Sequence, residues 1–183
     1  MTLDSPLIQQ HGDGYRLVFE EVYATDIDDL WSAVTERERL ARWMADYSGD
    51  LRLGGHWEVA DGDGEGVWGR GAVTACEAPH RFTTVWHAEG EEPTELTVRL
   101  EPAAGGTRLI LEHTGIRSST YGAGWQTYLE GLGAHVAGPG AEGLRGEAWA
   151  QRYLSDLMEK VTDADFIMVA LDGEGRPKPV PSE

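Results

Sequence analysis

Apolar and polar positions alternate through the middle of this chain, and helical spacing flanks that stretch on both sides. Tyr15–Ala24, YRLVFEEVYA, reads as a strand with Leu17, Phe19 and Val22 turned inward, and the doubled Glu20-Glu21 marks a bulge or a sheet edge. The next segment, DIDDLWSAVT, changes to helical spacing with Ile27, Leu30, Trp31 and Val34 on one face. Thr25 or Asp26 can cap this helix, because their side-chain oxygens accept its free amide hydrogens, and Asp28 and Asp29 suit its positive start. A second short helix, ERERLARWM, presents Leu40, Trp43 and Met44 to the same side. From Leu51 the alternation returns in LRL, HWEVA, GVWGRGAVTAC, RFTTVWHA, TELTVRLEP and TRLILEHTG. Short Gly-, Pro- and Glu-rich connections separate these six candidate strands, and with no helix between them they require an antiparallel meander.

After Ser118 a long helix resumes, with Trp125, Tyr128, Leu129, Leu132 and Val136 in one stripe. Gly131, Gly133 and Gly138 lower its intrinsic helicity, so packing must hold it in place. A further amphipathic helix is expected from Leu144 to Val161, where Trp149, Tyr153, Leu157 and Val161 recur every fourth residue; it covers a face of the domain or forms a dimer contact. The organisation expected is a loose leader over 1–14, one domain over 15–138, a helical extension over 139–171 and a disordered tail over 172–183. The extension is open to three roles: lid, dimer arm or surface packing.

Composition narrows the function. In 183 residues, Asp+Glu 32 against Lys+Arg 15 gives a net charge of -17, which repels phosphate backbones and argues against nucleic-acid binding. No apolar run approaches the roughly 20 residues of a membrane span, and MTLDSPLIQQHGDG lacks the basic and apolar regions of a secretory signal, so the expected location is the cytoplasm. Cys76, the single cysteine, can form neither an internal disulfide nor a multi-cysteine zinc site and is read as a buried structural thiol. No cofactor is implied and no metal site is read: His56 and Glu58 share an outward face, and the spacing of DGDGEG does not suit a calcium loop.

Alternation also names the inward side chains. Phe82, Thr84 and Trp86 point together, as do Leu96, Val98 and Leu100, then Leu109, Leu111 and His113, and finally Trp57 and Val59. Trp125, Tyr128, Leu129 and Leu132 face them from the helix, with Trp43 and Met44 near the mouth. An apolar wall with Thr84, His113 and Tyr128 as its sparse polar points fits a ligand site, although such aromatic stripes also simply fill cores. An empty cavity of about 150 Å³ costs roughly 3 to 4 kcal/mol, which an occupant offsets. For catalysis, His113 is the candidate general acid or base, with Tyr128 and Thr84 as partners; a buried histidine bonded to a hydroxyl is the structural alternative.

The succession ERLARWM, LRLGGHWEV, GAVTACEAP, RFTTVWHA, ELTVRLEPAAGGTRLILEHTG and GWQTYLEGL resembles the family of activator of heat-shock-protein-90 ATPase homologues, within the START-like or SRPBCC superfamily, over about residues 15–138. That resemblance implies an α+β helix-grip fold, as in Bet v-like proteins: a curved antiparallel sheet of about seven strands around a long C-terminal helix, here followed by an extra C-terminal helix. It further implies an internal cavity for a lipid, polyketide or aromatic metabolite. The alternatives are a polyketide cyclase-, aromatase- or hydratase-like enzyme, and a chaperone-interacting module. This chain lacks the separate N-terminal domain of the eukaryotic chaperone activators, which argues against the last. The expected partner is a small hydrophobic ligand, with a homodimer also possible.

Overall fold

The computed structural model describes residues 7–60, 66–118 and 120–138. Its elements in chain order are β1 (Leu7–His11), β2 (Gly14–Tyr23), α1 (Ile27–Thr35), α2 (Arg37–Leu40), β3 (Tyr47–Gly49), β4 (His56–Ala60), β5 (Val67–Glu77), β6 (Arg81–Ala88), β7 (Thr94–Ala103), β8 (Gly106–Ile116) and α3 (Thr120–Val136). The strands form one antiparallel sheet in the order β1-β2-β8-β7-β6-β5-β4-β3. This is the expected α+β helix-grip arrangement, with eight strands rather than seven.

The connection that carries α1 and α2 leaves β2, near one edge of the sheet, and arrives at β3 on the opposite edge. It must therefore span the sheet. The inner face is a set of cross-strand rows: Thr84, Leu96, His113 and Leu17 in one, Phe82, Val98, Leu111 and Phe19 in the next. All eight of these side chains are buried. The outer face is polar, with Arg16 paired to Glu112 at 2.7 Å and Thr83 bonded to Thr97 at 3.0 Å, as expected of an antiparallel sheet solvated on one side. DGDGEG falls largely outside the described residues, as do the helical extension and the tail.

Helix α3 is held by burial rather than by propensity. Its four glycines cost roughly 4 kcal/mol relative to alanine, whereas Trp125, Leu129 and Leu132, all nearly fully buried, contribute about 1.5 to 3 kcal/mol each. Gly131 has a second use. A Cβ there would lie 3.1 Å from the Trp43 carbonyl oxygen, so the missing side chain lets α3 approach the turn after α2. Tyr23 fastens α3 to β2 by donating its hydroxyl to the Leu129 carbonyl at 3.1 Å, and burial pushes its pKa upward.

Several local expectations are corrected. Leu7–His11, placed in the loose leader, forms strand β1 against β2. Of the two readings of Glu20-Glu21 the sheet edge holds and the bulge does not: β2 has β8 on one side only there, and the register shift lies at Tyr15/Arg16. Tyr23, not Val22, is the third inward residue of β2. LRL is a turn and the strand before it is Tyr47–Gly49, because the Asp50 carboxylate accepts from the Arg52 amide at 2.9 Å and its guanidinium at 3.0 Å, leaving Leu53 64% exposed. Cys76 is half-buried, not enclosed.

At α1 the sequence left two caps open, and Asp26 is the one used: its carboxylate accepts from the Asp29 amide at 2.8 Å. Thr25 instead donates to the Asp29 carboxylate at 2.7 Å. Asp26→Ala is expected to cost about 1 kcal/mol, read as a lower urea midpoint at unchanged slope.

Candidate ligand site

Between the inner face of the sheet, α1, α2 and α3 lies an apolar void of about 40 Å³. Phe82, Thr84 and Trp86 of β6, Leu96 and Val98 of β7, and Leu109 and Leu111 of β8 supply its floor. Trp125 and Leu129 of α3 close one side, and Val34 and Leu40 close another. Trp43, Met44, Tyr47, Leu51 and Trp57 complete the wall from the α2–β4 region. At roughly 24 cal/mol per Å³, so small a void costs about 1 kcal/mol, which a domain of this size tolerates.

The polar atoms around the void are mostly consumed within the protein. Trp57 donates its indole N–H to the Thr84 hydroxyl at 2.8 Å, and that hydroxyl has the Ala72 and Val85 carbonyls as acceptors, each at 3.0 Å. Trp43 donates to the Ala33 carbonyl at 2.9 Å. Tyr47 donates to the Met44 sulfur at 3.2 Å, and burial pushes its pKa upward. Trp86 differs: it lines the void, is 4% exposed, and its Nε1–H has no partner among the described residues.

Behind this wall runs a directional chain through His113, which is fully buried. Trp125 donates to His113 Nδ1 at 3.0 Å, so Nδ1 carries no proton and Nε2 does. Nε2–H then donates to the Thr94 hydroxyl at 2.7 Å, which donates to the Trp86 carbonyl at 3.0 Å. Burial holds the imidazole neutral, lowering its pKa to about 3. Both ring nitrogens are engaged, and the ring packs against Tyr121, Trp125 and Trp86. A general acid or base at neutral pH needs a free nitrogen facing its substrate. His113 has neither that freedom nor a place on the wall.

The structure brings together twelve of the seventeen side chains that the sequence nominated for the wall: Trp43, Met44, Trp57, Phe82, Thr84, Trp86, Leu96, Val98, Leu109, Leu111, Trp125 and Leu129. The other five, Val59, Leu100, His113, Tyr128 and Leu132, are buried in the packed core outside the void lining. Alternation gives the face of the sheet, not the distance along it: Val59 lies directly across the strand pair from Tyr47, and of the two only Tyr47 lines the void. Thr84 is on the wall, but its hydroxyl is already bonded. Tyr47 and Leu51 were missed because their segment is a turn and a three-residue strand with no periodicity to read. Among the described residues no group of three or more His, Cys, Asp or Glu side chains is placed to hold a metal ion, and no helix is long and apolar enough to cross a membrane.

Comparison with known proteins places this geometry in context. The family described as Activator of Hsp90 ATPase homolog 1-like protein matches residues 24–137. The crystal structure of CalU16 from Micromonospora echinospora is similar at 30% identity and a TM-score of 0.62, covering 81% of this chain and 97% of that one. MLL2253 from Mesorhizobium loti matches at 22% identity and a TM-score of 0.60, over 67% of this chain and 96% of that one. DynU16, described as a protein in the dynemicin biosynthetic locus, matches at 22% identity and a TM-score of 0.59, over 67% of this chain and 47% of that one. Comparison with curated proteins gives no match.

Proposed function

We propose, from the premise that this chain belongs to the Activator of Hsp90 ATPase homolog 1-like family, that it binds or transports a small hydrophobic or amphipathic ligand between its sheet and α3. One observation carries the reading: every layer of the fold contributes apolar side chains to a single void, and nearly every polar atom around it is already bonded within the protein. Such a wall binds by area and does not perform proton transfer. The engaged nitrogens of His113 weigh against the cyclase-like and hydratase-like alternatives.

The void is smaller than its guest. A dry cavity of about 150 Å³ takes one benzene, so a void of about 40 Å³ must expand before it admits an aromatic molecule. Expansion is cheapest where backbone bonding is least. Met44, Tyr47 and Leu51 lie between the four-residue α2 and β4, on a segment whose only strand has three residues, and they form the movable side of the wall. Burying about 300 Å² of apolar ligand surface gives roughly 7 kcal/mol before association costs, consistent with micromolar or weaker affinity.

The modest volume also favours a second reading, a filled domain that acts through its surface as a protein-interaction module. Native mass spectrometry of freshly purified full-length protein, followed by titration with anilinonaphthalene sulfonate, separates the two. Four wall tryptophans make their emission the internal reporter. A copurifying small molecule, or a saturable change in tryptophan emission, is expected. Absence of both would replace the carrier reading with the second one.

A further inference from the structure

The void wall contains four tryptophans, Trp43, Trp57, Trp86 and Trp125, and three of their indole N–H groups donate to protein atoms at 2.8 to 3.0 Å. Trp86 is the exception, buried and without an acceptor among the described residues. Native interiors rarely leave such a donor unmet, and an orphan on a residue that lines a void is placed to meet an acceptor from outside the protein. The neighbouring acceptors are spoken for. The Thr84 hydroxyl receives Trp57, His113 Nδ1 receives Trp125, and the Thr94 hydroxyl receives His113.

We infer that Trp86 is the orienting donor of the ligand site, so the preferred guest is an apolar molecule carrying a hydrogen-bond acceptor, such as an aryl ketone, and not a pure hydrocarbon. The inference rests on the carrier reading above and adds the polar element that reading lacks. It also fixes the guest's position. Trp86 shares the wall with Trp57 and Trp125, whose ring centroids lie 5.1 Å and 5.6 Å from its own, so a guest in the void whose acceptor meets its N–H lies against those rings. A hydrogen bond formed in a dry site discriminates against an analogue that leaves the donor unpaired.

The test uses two nearly isosteric probes, methyl naphthyl ketone and isopropenylnaphthalene, which differ by C=O against C=CH₂. Their affinities for the full-length wild type and for Trp86→Phe form a double-mutant cycle, which cancels the difference in hydration of the two probes. The ketone-to-alkene affinity ratio is expected to fall by about ten-fold on Trp86→Phe. In the wild type, the assigned Trp86 indole proton resonance should also move downfield with the ketone and not with the alkene; this second measurement does not depend on the variant folding. Binding of both probes with an unchanged ratio and an unmoved indole resonance overturns the assignment of Trp86 while leaving the carrier reading standing. Failure of both probes to bind the wild type overturns both.

Discussion

Replacing His113 by alanine is expected to lower the stability of the fold by roughly 3 to 5 kcal/mol, the sum of a cavity where the imidazole stood and buried partners left unpaired. The Trp125 indole N–H loses its only named acceptor, and the Thr94 hydroxyl loses its donor. For a domain of this length that is a drop of about 10 °C or more in the thermal midpoint. A catalytic histidine on an open wall would behave otherwise, since its removal leaves the fold intact. A variant that melts with the wild type would therefore refute the structural role.

The same residue predicts a pH dependence. Its folded-state pKa of about 3 lies below the ordinary imidazole value of 6.5, so between these limits the unfolded chain binds a proton that the folded chain refuses. Stability is thus fully present above about pH 6.5 and declines as pH falls, by roughly 2 to 3 kcal/mol at about pH 4.5. Asp29 and Glu112, whose carboxyls are held below the usual range by bonds to Thr25 and to Arg16 respectively, also favour the unfolded state in acid. They are common to both proteins. The gap between wild type and His113→Ala should accordingly narrow as pH falls, and a gap that stays constant from about pH 7 to about pH 4.5 would rule out a neutral buried imidazole.

How much of this was legible follows from the period of each segment. Strands β6, β7 and β8 carry unbroken alternation, so the inward sets from Phe82 to Trp86, Leu96 to Leu100 and Leu109 to His113 could be read directly. Thr94 shares the parity of Leu96 and was equally readable as inward, yet its partner was not, since His113 lies 19 residues away on the next strand. The β3 region defeated alternation because Asp50 and Arg52 satisfy each other locally and make a turn out of an apolar-looking LRL. β1 was lost for another reason. Its LIQQH sequence has one buried residue, Ile8, and its strand state depends on pairing with β2 rather than on its own pattern. Nor can any sequence pattern show which of four indole donors lacks an acceptor.

Gly71→Ala is the other substitution expected to act strongly, although it adds only one methyl group. Gly71 pairs with Trp57 of β4 on one side and with Trp86 of β6 on the other. Two strands removed from each other are about 9 to 10 Å apart, but the Trp57 and Trp86 rings meet with centroids at 5.1 Å. The rings can lean together because the residue between them has no side chain. A Cβ on Gly71 would stand 1.9 Å from the Val85 carbonyl oxygen and 2.5 Å from Trp57 Cζ2, the first a backbone atom that cannot rotate away. Overpacking of this kind costs about 1 to 3 kcal/mol, and loss of the ring contact adds about 0.5 to 1.5 kcal/mol, so roughly 3 kcal/mol is expected in total. Urea unfolding reads the loss of stability, and near-ultraviolet circular dichroism reads the separation of the two indoles. A variant with the wild-type midpoint and an unchanged near-ultraviolet spectrum would show that the aromatic side of the void does not depend on the empty position at Gly71. If instead the spectrum changes, the wall tryptophans are arranged by a glycine that touches no ligand, and the shape of the site is set one layer below its surface.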